Sequence, residues 1–318
     1  MKVSISLLLL AFLFRRIDVR AALSHMRNVE CPHFCYAIVL FLIVTWLGIL
    51  RWTILLKIVK RDLSCARIFT TYCGGLFFNV FLPSSIGGDI VRTVDLAVHT
   101  KDTSAILATV LLDRIFGFIG LAVVALIGFL YGSSRGMIND PHIMMWIVAM
   151  IVFLLCGLLV TFSRRVFNLL NKLIPVPFVK EFLHKFHSSF YTFRSEKKAL
   201  ARVFVLSVVL QACFSGVLYY IGLSIGISAG IVYYLVFIPL VTILSMLPIS
   251  IGGLGVRENA AVILFSAVGV QADKVAAMSL LGFAFLFFAG LVGGSIYGIA
   301  LYCRRLQRHT QDAVPGSG

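Results

Sequence analysis

Six charged side chains stand where an apolar chain should carry none. Asp89 and Arg92, Asp113 and Arg114, and Arg257 and Glu258 fall within or beside long uncharged runs. An arginine at bilayer depth costs roughly 2.5–3.5 kcal/mol on the lenient insertion scales, so such charges pair with one another or serve a ligand. A guanidinium forks onto two oxygens of a phosphate or carboxylate, which makes Arg92 and Arg257 candidates for gripping an acidic head group. Neighbouring residues on a helix diverge by about 100°, so Asp113 and Arg114 must find partners elsewhere, among Arg92, Arg257, Asp89 and Glu258. The cluster would neutralise itself when empty and reorganise around a substrate; a purely structural ion network is the alternative. Asp89 and Glu258 also admit titration coupled to proton movement, although no acid–histidine relay is visible in the runs.

Four of the six belong to or adjoin a repeated phrase. Residues 82–92 read LPSSIGGDIVR and residues 247–257 read LPISIGGLGVR, identical at eight of eleven positions. Pro83 and Pro248 each remove a helical hydrogen bond, while Gly87, Gly88, Gly252, Gly253 and Gly255 allow tight turns and close approach. Ser85 and Ser250 occupy the same place in the two copies and complete the expected substrate-binding set. A helix restarting after such a break aims free amides ahead of it, and an amino end of that kind attracts anions. Matching interruptions in two halves of a membrane protein point to a transport site at the bilayer midplane.

The elements that must position these groups are membrane helices. A mean hydropathy of +1.01, with 60% hydrophobic and 13% charged residues, excludes a soluble globular domain. Apolar runs cover residues 34–50, 105–131, 143–162, 203–225 and 278–303, with shorter ones at 3–14, 68–82, 231–247 and 259–270. The expected fold is an all-α polytopic membrane protein of about six to eight transmembrane helices. Two of them should be broken and re-entrant, forming an inverted repeat. Residues 1–303 form one integral membrane domain and residues 304–318 a short basic cytoplasmic tail.

Sidedness follows from the basic residues. Arginine and lysine crowd residues 51–67, 163–202 and the tail, which should therefore be cytoplasmic; residues 132–142 and 226–230 should face outward. For these ends to agree, residues 68–82 and residues 231–270 must each enter the membrane and return, turning at a repeat. Three complete crossings separate the phrases, so the two turns enter from opposite faces. Residues 15–30, with four arginines, then fall outside. Residues 3–14 read as an uncleaved first helix rather than a signal peptide, since no small-residue cleavage pattern follows. Residues 163–202 read as an amphipathic surface segment.

The net charge of +15 follows the loops instead of forming a nucleic-acid face, so no nucleic acid is expected, and some of it should hold anionic lipid. Cys31 and Cys35, with His33 between them, lack the closed spacing of a zinc site; neither metal nor cofactor is expected. No DxD or tight acidic group marks a metal-dependent transferase. Trp46, Trp52 and Tyr72 are expected near the interfaces. Phe283–Phe288 reads as packing or lipid-facing surface. Gly290, Gly294 and Gly298 are expected to mark a close helix contact.

With NVFLPSSIGGDIVR, LLDRIFGF and LPISIGGLGVRENA in view, the chain resembles the lysylphosphatidylglycerol synthase transmembrane-domain family, from about residue 38 to residue 302. The resemblance places Pro83, Gly87, Gly88, Asp89 and Arg92 in one family motif and Pro248, Gly252, Gly253, Gly255, Arg257 and Glu258 in the other. Where family members often carry Glu-Arg, this chain has Asp113-Arg114. The resemblance implies a flippase-like protein moving a polar- or phosphate-headed lipid between leaflets by alternating access. It does not carry over the synthase activity, which belongs to a soluble carboxyl-terminal domain, so no enzyme is expected. A membrane-embedded or accessory component of lipid biosynthesis is the alternative. The expected setting is a bacterial inner membrane, with membrane lipids, another copy of the chain or a lipid-synthesis enzyme as partners.

Overall fold

The computed structural model describes residues 18–60, 62–82, 87–138, 140–162, 193, 195–246 and 253–312. Among them lie ten helices and no strand: α1 Val19–Arg27, α2 Cys31–Val59, α3 Cys65–Phe81, α4 Gly87–Thr100, α5 Thr103–Ser134, α6 Pro141–Phe162, α7 Lys197–Ser224, α8 Ile231–Met246, α9 Val256–Ser266 and α10 Ala272–Asp312. The protein is an all-α polytopic membrane protein. Helices α2, α5, α7 and α10 are each long and apolar enough to cross a membrane; α8 and the first part of α6 are shorter apolar helices. The expected first helix and most of the amphipathic segment read over residues 163–202 lie outside the described residues, as do Pro83, Ser85, Pro248, Ser250 and Gly252; residues 197–202 of that segment are instead the first turns of α7.

Local sequence sets the helix starts. Asp18 accepts from the amides of Arg20 and Ala21, Ser64 from that of Arg67, and Asp102 from that of Ala105. Each satisfies amides that the first turn leaves open. At α9 the chain passes through Gly253 and Gly255 with φ of +77° and +84°, a left-handed backbone that glycine adopts without steric cost. Glu258 then reaches back to accept the Gly255 amide at 2.7 Å.

The longest helix is the spine of the fold. Helix α3 runs antiparallel along its second half. Gly293 faces the Cys73 carbonyl so closely that an added Cβ would lie 2.6 Å from that oxygen, and Gly294 and Gly290 lie against Phe77 and Val80. Gly298, expected in the same seam, faces open space. Arg304, near the end of α10, bonds to Thr70 near the start of α3. Phe287, halfway along, meets Phe81, the last residue of α3, at 5.4 Å between ring centroids.

Helix α4 folds back on α3. The Gly88 amide donates to Asn79 Oδ1 at 3.0 Å, and Arg67 donates to Asp95 Oδ1 at 2.8 Å, so the arms pair from tip to base. At the other end of α10, Lys274 donates to the Gly226 carbonyl in the loop before α8. Helix α9 returns along α8, with Gly253 against Ser245 at the tip and Phe265 against Tyr234 and Phe237 nearer the base.

The two hairpins therefore enter from opposite ends of α10 and turn toward each other beside its middle. Arg257, just past the second break, lies 5.0 Å from the Phe283 ring; Phe283 meets Phe287, and Phe287 meets Phe81 just before the first break. Helix α1 sits at the α8–α9 end, where the Asp18 amide donates to Asp273. The Glu30 amide, between α1 and α2, donates to the Ser224 carbonyl at the end of α7. Residues 18–30 thus share the end of the molecule that carries the loop at residues 226–230.

Candidate functional site

Behind the tip of the first hairpin lies a buried cluster of charge. Helix α4 contributes Asp89 and Arg92, α5 contributes Asp113 and Arg114, and α2 contributes Arg51. Arg51, Asp89, Arg92 and Asp113 are each no more than 8% exposed. Arg51 Nε donates to Asp113 Oδ1 at 2.7 Å, and its Nη1 donates to Ser207 Oγ of α7 at 3.2 Å. The other Asp113 oxygen receives Arg92 Nη2 at 3.4 Å and Nη1 at 3.5 Å. Asp89 lies 3.5 Å from Arg92 on its own helix and accepts from Arg114 Nε.

Arg92 is held by its faces more than by its edges. Its guanidinium carbon lies 3.9 Å from the Trp52 ring centroid and 4.9 Å from that of Tyr72. Gly75 provides the slot, since a Cβ there would come within 2.6 Å of Arg92 Cδ. Among the described residues Arg92 Nε is buried without a hydrogen-bond partner, and both Nη contacts to Asp113 are long. A desolvated guanidinium with unused donors is a poorly satisfied group in this environment and a good receptor for an added acceptor.

In the second hairpin the charges are already matched. Glu258 is fully buried, accepting the Gly255 amide through Oε2 and Arg257 Nε, at 3.0 Å, through Oε1. Glu258 thus works as a helix cap and counter-ion at once, and Arg257 stays one-fifth exposed. Here an adjacent acid–base pair does meet, because Glu258 reaches back to the Gly255 amide and Arg257 Nε donates to its other oxygen.

The positions revise several expectations from sequence. Asp89, Arg92, Asp113 and Arg114 come together, as their pairing needs required, while Arg257 and Glu258 engage each other. Gly87 and Gly88 open α4 as helical residues, and Gly88 abuts Asn79 and the Gly75 carbonyl. Trp52 is fully buried and Tyr72 lies beside it under Arg92, so both rings pack inside the bundle instead of facing outward. Trp46 is exposed on the outer surface of α2.

The residue that sequence reasoning missed is Arg51. In sequence it belongs with the basic connection at residues 51–67, since it directly follows the apolar run 34–50. The apolar pattern resumes with Trp52 and continues through Leu56, and α2 runs to Val59. That resumption is the signal that Arg51 is interior. Gly117, one turn after Asp113, leaves the space its guanidinium fills.

Among the described residues no group of three metal-ligating side chains is present. Cys31 and Cys35 are exposed on the first turn and a half of α2.

A buried cluster of charge behind the tip of a helical hairpin, in a bundle whose longest helices are long and apolar enough to cross a membrane, defines a polytopic membrane protein with a charged core. Residues 1–294 match the family described as the lysylphosphatidylglycerol synthase TM region, and the chain belongs to that family. It is 25% identical to a UPF0104 membrane protein of Methanothermobacter thermautotrophicus over 293 residues, covering 82% of each chain. It is 23% identical to a UPF0104 membrane protein of Pyrococcus horikoshii over 304 residues, covering 87% of this chain and 90% of the relative.

Proposed function

We propose that this protein is a lipid transporter, a flippase that carries a phosphate-bearing or otherwise acidic head group past the bilayer midplane by alternating access. The observation that carries this reading is Arg92. It is buried beside the break of one hairpin against the Trp52 and Tyr72 rings, with an Nε that has no partner among the described residues and long contacts to Asp113 and Asp89. An acidic head group would complete its hydrogen bonding and displace the loose Asp113 contact. Arg51 would keep Asp113 neutralised meanwhile.

Two hairpins opposed along one spine support the transport reading, because irregular backbone at membrane depth persists where it is buried or lines a wet path. The α3–α4 end carries Lys60, Arg67, Lys101, Arg304 and Arg305, and the positive-inside tendency supports a reading in which that end faces the cytoplasm.

The test uses purified protein in vesicles holding a fluorescent phospholipid whose outer-leaflet copies are bleached by an impermeant reductant. Wild-type protein should expose inner-leaflet lipid with its mass unchanged. Arg92→Lys keeps the charge but loses the planar fork, and transport should fall roughly tenfold or more, the loss of one charge-assisted hydrogen bond. Full transport by Arg92→Lys would remove the head-group role. Lipid of altered mass would favour a transferase.

A further inference from the structure

Helix α4 has two functional faces. Asp89, Arg92 and Thr93 look inward at the charged cluster, while Ile90, Val94 and Val98 are exposed on the opposite side. That outer side forms one wall of a cleft of about 750 Å³, and the other wall is the last third of α10. The cleft changes character along its length. Toward the middle of α10 it is bounded by Ile90 and Val91 and by Gly298, whose open side leaves room for a chain. At the basic end it is bounded by Arg67, Arg304 and Arg305, with Asp95 as the acid among them. Three guanidinium groups against one carboxylate leave the mouth positive. Arg304 Nη1 is buried there, 4.0 Å from Asp95 Oδ1 and without a hydrogen-bond partner among the described residues.

We infer that this cleft between α4 and α10 binds one anionic phospholipid from the leaflet at the basic end, phosphate on Arg304 and Arg305, an acyl chain along Ile90, Val94 and Gly298. The polarity gradient argues for a lipid over a free anion. Its basic end lies where head groups sit, and its apolar end points toward the midplane, as an acyl chain does. A soluble phosphate would gain nothing from the upper half of the cleft. The cleft leads to the first turn of α4, one residue from Asp89, so α4 is the partition between a waiting lipid and the buried cluster. That second role, as the entry to the transport site, rests on the function proposed above.

The experiment is native mass spectrometry of the full chain released from nanodiscs containing dioleoyl phosphatidic acid and dioleoyl phosphatidylcholine, alongside vesicle transport. Wild-type protein should retain one phosphatidic acid in preference to phosphatidylcholine, and free glycerol 3-phosphate should not displace it. Gly298→Leu and Val94→Trp fill the cleft from lipid-accessible positions, and Arg305→Gln removes a mouth charge. Each should cut the retained lipid about tenfold. Ile127→Trp, an exposed position on α5, should leave it unchanged and serves as the control for folding.

Wild-type-like retention in all three cleft variants would overturn the inference. Displacement by glycerol 3-phosphate would overturn it too, leaving an anion site without a lipid. Failure of the transport reading looks different: phosphatidic acid would still be retained and lost on filling the cleft, while neither wild type nor Arg92→Lys moved lipid.

Discussion

Asp113 answers two arginines at once, tightly to Arg51 and loosely to Arg92. Removing one partner from a buried ion pair costs about 3–5 kcal/mol, because the charge left behind has no water to turn to. Asp113→Asn should therefore lower the thermal midpoint of the detergent-solubilised protein well below that of wild type, read by size-exclusion chromatography after heating. A midpoint within a degree of wild type would mean the cluster contributes little to the fold. Arg92→Ala should also destabilise, since it strips a guanidinium from between Trp52, Tyr72 and two carboxylates. Arg92→Lys is for that reason the better functional probe. At this scale the sequence revealed much but not all. Charges inside apolar runs are visible because the bilayer makes them costly. Arg51 escaped because a charge at the edge of a run is indistinguishable from a loop residue until the far side of the run is weighed.

Each hairpin depends on backbones that touch. An added Cβ at Gly88 would lie 2.1 Å from the Gly75 carbonyl oxygen and 2.5 Å from Asn79 Cγ. Gly88→Ala must push α4 off α3, and overpacking of this kind costs about 1–3 kcal/mol or more. It should reduce folded yield and displace Arg92, measurable as loss of transport in whatever protein survives. Gly298→Ala is the opposite case. Nothing lies within 4 Å, and alanine favours helix over glycine by up to ~1 kcal/mol, so a small rise in thermal midpoint is expected.

The sequence disclosed the existence of both hairpins through charge parity. It did not disclose which glycines turn the chain and which only let helices approach. Gly253 and Gly255 have left-handed backbones, whereas Gly87 and Gly88 are helical. The two copies of the phrase share residues but spend them differently, a distinction carried by backbone angles and neighbours instead of by composition.

The opposed entry of the hairpins was legible as a counting argument, and the contacts along α10 give it a geometry. Arg304 meets Thr70 at one end, Lys274 meets Gly226 at the other, and Phe283 and Phe287 mark the middle. Cysteine labelling tests the orientation directly. On a cysteine-free background, Lys101→Cys should react with an impermeant maleimide only from the side bearing the carboxyl terminus, and Ser228→Cys only from the other. Labelling of both from one side would break the arrangement. What counting could not supply was the lateral cleft beside α4, because it depends on which face of α4 turns outward and on the open side of Gly298.

The two seams along α10 are unequal. Against α3 the backbones nearly touch at Gly293 and Cys73, with no side chain between them to give way. Against α9 the meeting at the midpoint is a phenyl ring and a flexible guanidinium, Phe283 and Arg257, 5.0 Å apart. Rods glued on one side and cushioned on the other slide at the cushion. Any rocking of this molecule should therefore carry α3 and α10 as one lever and place its bearing surface at the Arg257–Phe283 contact.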